Sequence, residues 1–303
     1  MPVTLDGKLV VAISSRALFD LDESNAIFEE QGEESYRKYQ IEHENEMLEQ
    51  GIAFPLIKRL LGLRNPMTQE DMVEIILVSK NDPNTGLRVF NSIEHHGLKI
   101  SRAAFTRGRT PYKYLKAFHA DLFLSANPED VKFALDNGHA SATIYPGTFY
   151  KEDENLNEIR IAFDGDAVIF SDAAEIVYQE KGLEQFQQHE MENCETPLEP
   201  GPFKNFLAAI NNLQEIYKDQ DVKPVRTALV TARNAPAHKR AIKTLRAWGI
   251  SVDEAFFLGG LDKASILESF NPHIFFDDQH TYCVKAAKVV PTGHVPSGVL
   301  NTK

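Results

Sequence analysis

Short apolar runs alternate along this chain with longer stretches whose apolar residues recur every three or four positions. The runs 159–163 (IRIAF), 227–230 (TALV), 255–258 (AFFL) and 273–276 (HIFF) are short and apolar enough to be buried strands. The stretches 203–217, 237–248 and 264–270 carry the helical period. Strands alternating with helices through short connections predict a parallel sheet covered on both faces, so the fold class is α/β, a doubly wound parallel sheet. In such sheets ligands gather beyond the carboxyl ends of the strands.

Polar residues stand where that rule places a site. The first run delivers Asp164-Gly165-Asp166 into a turn, the second ends at Thr231, the third leads through Gly259-Gly260 to Lys263, and the fourth ends in Asp277-Asp278. Two carboxylates one residue apart repel, and they favour a divalent cation, a shared proton or both. One of them can attack phosphorus while the other moves a proton to or from the ester oxygen. Asp164 and Asp277, with a backbone carbonyl near Asp166, supply the hard oxygen ligands that Mg²⁺ takes. Thr231 offers a hydroxyl and an N–H to a phosphoryl oxygen, and Lys263 offsets the charge of the transferring group. A Thr after a strand commonly caps a helix and a lone Lys is commonly solvated, so the signal is the ordered set.

The chain also repeats itself. Ala12 aligns with Ala162 and Gly32 with Gly182, each pair 150 residues apart. Leu77 aligns with Leu229, Gly108 with Gly260, and 122–125 with 274–277, each 152 apart. A period this long indicates a duplicated domain. We therefore expect a degenerate α/β domain over 1–150 and a catalytic one over 151–303. In the front copy Ser14 and Arg16 replace Asp164 and Asp166, Ser125-Ala126 replaces Asp277-Asp278, and Pro111 replaces Lys263. A charged, partly helical segment follows the first strand of each copy, at 23–51 and 173–202, and the prolines at 197, 200 and 202 break any helix there.

The motifs AFDGDAVIFSD, LVTARNAPAHKR, FFLGGLDK and IFFDDQ resemble those of the cytosolic 5′-nucleotidase I family, within the haloacid dehalogenase superfamily. VSKNDPNTGLRVFNSI and KAFHADLFLS extend the resemblance into the front half. It implies a HAD-like Rossmannoid fold with a small cap at about 173–202, and Mg²⁺-dependent hydrolysis of nucleoside 5′-monophosphates through an aspartyl-phosphate, AMP being the first substrate to test. Carried over by position, Asp164 is the nucleophile, Asp166 the general acid/base, Thr231 and Lys263 bind phosphate, and Asp164, Asp166, Asp277 and Asp278 surround the metal. Regulation by a nucleotide effector is a further implication. The same superfamily motifs suit a phosphatase acting on a sugar phosphate or another small phosphomonoester. A third reading is a catalytically weak nucleotide sensor.

Composition narrows the rest. A net charge of −12 argues against a nucleic-acid partner. Two cysteines, Cys194 and Cys283, give no disulfide framework, and no apolar stretch reaches spanning length. We expect a cytoplasmic protein with no membrane partner, able to form a homo-oligomer. In the front copy Asn81, Arg88 and Asn91 follow one apolar run and Phe105 and Arg107 the next. They are candidates to hold a substrate or effector nucleotide by paired hydrogen bonds and stacking, or else they cap helices and pair with local acids.

Overall fold

The interior strands are apolar on both sides because both sides are covered. All five residues of β1 (Leu9–Ile13) and all seven of β2 (Val73–Ser79) are buried. The computed structural model describes residues 4–148, 150 and 158–301. Its strands continue with β3 (Arg102–Phe105), β4 (Leu122–Ser125), β5 (Ser141–Ile144), β6 (Ile159–Phe163), β7 (Val225–Thr231), β8 (Glu254–Phe257), β9 (Ile274–Asp277) and β10 (Thr292–His294). They form a ten-stranded sheet in the order β3-β2-β1-β4-β5-β10-β9-β6-β7-β8. This is the expected mixed α/β class with a large, mostly parallel sheet, consistent with a HAD-like Rossmannoid fold.

One pairing departs from the expected parallel sheet. β5 and β10 run antiparallel, with Gly293 opposite Ile144 and His294 opposite Thr143. The strand order reads the same outward from that junction on both sides, with β1 and β6 in matching places. Every other pairing is parallel, so the strands of one half point opposite to those of the other. Their carboxyl ends therefore lie along opposite edges of the shared sheet.

The helices are α1 (Ser15–Leu18), α2 (Asp22–Gln31), α3 (Glu33–Glu42), α4 (Phe54–Leu60), α5 (Gly86–His95), α6 (Pro128–Asp136), α7 (Ala173–Glu192), α8 (Lys204–Ile216), α9 (His238–Ala247), α10 (Ala264–Phe270) and α11 (His280–Ala286). Gly32 separates α2 from α3 at φ 83°, ψ −177°, and Gly182 breaks α7 at φ 80°, ψ 179°. That conformation is essentially open to glycine alone, and it recurs at the two aligned positions. After each helical segment the chain pairs back with the residue that preceded it through an isolated antiparallel bridge, Phe19 with Gln50 and Phe170 with Pro200. Under the rear strand ends lies an aromatic cluster. Phe276 is 5.6 Å from Phe163 and 4.8 Å from Phe203, measured between ring centroids. These rings are fully buried, and each contributes roughly 1.5–3 kcal/mol.

Candidate active site

β6 hands over to the acid turn without losing its pairing, since Asp164 N donates to Phe276 O at 2.8 Å. The turn Gly165–Ile169 then leaves helical geometry. Asp166 is extended (φ −72°, ψ 141°) and Ala167 is left-handed (φ 59°, ψ 0°). Gly165 allows a close approach, because a Cβ there would stand 3.2 Å from Thr231 Oγ1. Thr231, at the end of β7, accepts a hydrogen bond from Arg233 N at 3.2 Å. Asp277, at the end of β9, accepts one from Gln279 N at 2.8 Å. Lys263 occupies the N-cap position of α10.

These elements bring the predicted residues together. Lys263 Nζ lies 2.7 Å from Asp277 Oδ2 in a hydrogen bond. It also lies 2.8 Å from Asp164 Oδ1 in an ion pair. Asp164, Asp277 and Asp278 each offer a carboxylate oxygen within 4.8 Å of the others. All three carboxylates, Thr231 and Lys263 are buried.

Burial sets the electrostatics. It pushes Asp164 up to about 7, with Asp277 adding to the rise and Lys263 opposing it. It pushes Asp278 up to about 9, reinforced by Asp164 and Asp277. For Lys263 burial disfavours the charge, but the two flanking carboxylates outweigh it and hold the ammonium above its ordinary value. One cation among three buried carboxylates leaves the cluster short of positive charge. The all-oxygen donor set of this buried cluster fits a hard divalent cation.

Asp166 points elsewhere. Arg233 grips its carboxylate with two bonds, Nε to Oδ2 at 2.8 Å and Nη2 to Oδ1 at 2.7 Å. The same guanidinium donates through Nη1 to Glu190 of α7, whose other oxygen accepts from Arg240 Nη1 at 2.8 Å. Sequence reasoning missed Arg233, Glu190 and Arg240. The one available signal was an arginine two residues after the strand-end threonine. The segment 173–202 thus reaches the acid turn through a buried carboxylate on its helix.

Residues 1–302 match the family model described as 5′-nucleotidase. The chain belongs to the 5′-nucleotidase family. It is 40% identical over 291 residues to human cytosolic 5′-nucleotidase 1B, an alignment covering 92% of this chain and 47% of that protein. The chain thus spans about half the length of the curated relative it matches.

The front-half candidates of this family member separate into two groups. Asn81 and Arg107 line a cavity at the ends of β1, β2 and β4. Arg88 and Asn91 do not line it. Arg88 Nε donates to Glu46 O at 2.9 Å and its Nη1 to Gln40 Oε1 at 3.2 Å, while Asn91 Nδ2 donates to Glu44 O at 2.8 Å. Both fasten α5 to the returning charged segment. Phe105 also lies outside the cavity: its ring packs 5.7 Å from Phe90 and blocks any Cβ at Gly86. Among the described residues no helix is long and apolar enough to cross a membrane, and Cys194 and Cys283 are free thiols.

Proposed function

We propose that the protein hydrolyses nucleoside 5′-monophosphates, AMP first among them, in a Mg²⁺-dependent reaction through an aspartyl-phosphate. The observation that carries this is the buried cluster of Asp164, Asp277 and Asp278, with Lys263 Nζ 2.8 Å from Asp164 Oδ1. Asp164, Asp277 and Asp278 would hold the cation, with the backbone carbonyl of Asp166 alongside; when bound, Mg²⁺ neutralises phosphoryl charge.

Asp164 attacks phosphorus, the bond from phosphorus to O5′ breaks, and Asp166 acts as the general acid that delivers a proton to the departing alkoxide. Water then attacks the acyl phosphate, Asp166 takes its proton, and Asp164 and phosphate are released. Thr231 donates its hydroxyl to a phosphoryl oxygen, and Lys263 offsets the charge that gathers there. Residues 151–303 form the catalytic copy on this reading. The 173–202 segment is its cap, excluding water during transfer. The name of the human relative places that protein in the cytosol, and we place this one there also.

A panel of phosphate esters assayed with Mg²⁺ and with EDTA tests the proposal. AMP and other nucleoside monophosphates should release phosphate only with the metal. Asp164→Asn should abolish release while leaving the circular dichroism unchanged. A stronger preference for sugar phosphates would replace the substrate class, and an active Asp164→Asn would remove the covalent step.

A further inference from the structure

The front copy keeps the scaffold of the acid site and reverses its charge. Asn81 N donates to Ser79 Oγ at 3.2 Å, as Arg233 N does to Thr231 in the rear copy. Asn127 N donates to Ser125 Oγ at 3.1 Å, as Gln279 N does to Asp277. Ser14, aligned with Asp164, accepts from Ala17 N and Ala126 N, each at 3.3 Å. Hydroxyls therefore stand at three stations held by Asp164, Thr231 and Asp277 in the rear, and Arg16 stands in place of Asp166. Among the described residues the clustered carboxylates that suit a divalent cation occur at the rear stations, Asp164, Asp277 and Asp278.

Those stations open into a cavity of about 340 Å³, within the range of small-molecule sites. Arg16, Arg37, Lys80 and Arg107 line it, against the carboxylates of Glu33, Asp82 and Asp130. Lys80 lies 3.1 Å from Asp130, but Arg37 is 3.5 Å from Asp82 and Arg107 is 3.9 Å from Glu33. Arg16 is 3.5 Å from Asp22. Three of the four cations thus lie beyond close hydrogen-bonding distance of their acids. Two buried donors have no hydrogen-bond partner, Asn81 Nδ2 and Arg37 Nε. Asn81 is otherwise fixed, its Oδ1 accepting from Tyr36 OH at 2.9 Å. Two aromatic rings also line it: Phe28, 48% exposed, meets Tyr36 edge-on at 5.9 Å.

We propose that this cavity binds a nucleotide through its phosphate without a divalent cation, the base lying against Phe28 and Tyr36. It is separate from the acid site. β1 and β6 are five strand steps apart, roughly 24 Å at ~4.8 Å each, and their carboxyl ends face opposite sheet edges. The proposal is independent of the catalytic reading, because it requires neither the metal nor Asp164.

Calorimetric titration of the full chain with AMP in EDTA tests it, with inorganic phosphate and adenosine as parallel titrants. One AMP should bind per chain, equally in wild type and Asp164→Asn. Arg16→Ala should weaken binding about tenfold or more, a loss of about 1.4 kcal/mol or more. Ser14→Asp should do the same by placing a carboxylate at the cavity floor, and Asp caps a helix as Ser does, so folding is retained. Phosphate and adenosine should each bind more weakly than AMP. Absence of AMP binding in EDTA overturns the proposal, as does binding that survives both front variants. Phosphate or adenosine binding as tightly as AMP would equally reject a nucleotide site.

Discussion

Glu190 offers the sharpest test of how the rear site is held. Its side chain is fully buried and is shared by Arg233 and Arg240. Breaking a buried, hydrogen-bonded ion pair by removing one partner costs roughly 3–5 kcal/mol. In Glu190→Ala, Arg233 keeps both bonds to Asp166, and Arg240 keeps its bond to Thr196 O at 2.9 Å. The cost should fall near the lower end, about 3 kcal/mol. Arg233→Ala is worse: it strands Asp166, leaves Glu190 with Arg240 alone, and removes a guanidinium 5.9 Å from the Phe170 ring and 5.6 Å from that of Phe186. That variant should approach about 5 kcal/mol. Glu190→Gln keeps an acceptor and should lose about 1.5–3 kcal/mol.

At about 2–4 °C per kcal/mol, Glu190→Ala should lower Tm by about 6–12 °C, read by circular dichroism at fixed pH without added metal. The order Arg233→Ala, then Glu190→Ala, then Glu190→Gln is the substance of the prediction. An unchanged Tm in Glu190→Ala, or an Arg233→Ala no worse than Glu190→Ala, would refute the reasoning.

Three further outcomes are expected. Burial holds Asp164 and Asp278 at about 7 and about 9, above the ordinary carboxylate value near 4, so the folded metal-free chain keeps protons that the unfolded chain has released. Its stability should therefore fall as pH rises from about 4 through about 9, and Mg²⁺ binding at pH 6 should expel protons, seen as heats that differ between buffers of unlike ionisation enthalpy; identical heats would contradict this. Asp166→Asn should lose about 10²–10⁴-fold in kcat on AMP but far less on an activated aryl phosphate, and equal losses would remove Asp166 from the proton-transfer role. Gly165→Ala must push Thr231 back by a few tenths of an ångström, so phosphate release should fall at least tenfold with a Tm near that of wild type, whereas full activity would show that the close approach is unnecessary.

The sequence made the rear strand ends legible because each polar residue there closes a short apolar run, and the superposed motifs fix their order. Asp164, Asp277, Asp278 and Lys263 meet as that order implied. The glycine alignment was equally readable, since Gly32 and Gly182 each break a charged helical stretch. Other features depend on long-range contacts that no local pattern encodes. Glu190 lies on the same helix as Glu180, Glu184 and Glu192, and only the fold turns it inward to Arg233. Arg88 and Asn91 look like ligand-binding groups after a strand. They are consumed by the backbone of 44–46, which returns beneath them. The antiparallel junction was hidden for a different reason: β5 and β10 are four and three residues long, too short for periodicity to reveal direction.

The spacing between the aligned positions of the two halves changes at the acid turn. Asp164 aligns with Ser14 at 150 residues. Just beyond, Gly51 N donates to Leu18 O, while Gly201 N donates to Ile169 O. Ala53 N donates to Ala17 O, while Phe203 N donates to Val168 O. The acceptors of these bonds are 151 residues apart while their donors are 150 apart, so the rear turn holds one residue more. Ala167 is the residue that absorbs it, at φ 59° within a five-residue π-type turn. Single-residue insertions of this kind open a helical turn locally, and they recur at functional sites. Without one, the front copy closes into the short helix α1 with Ser14 as its cap. With one, the chain opens after Gly165 and sets Asp166 in extended geometry, where its carboxylate meets Arg233 instead of crowding Asp164. The extra residue thus separates the two acids in space, with Asp164 buried beside Lys263 and Asp166 held partly exposed against Arg233.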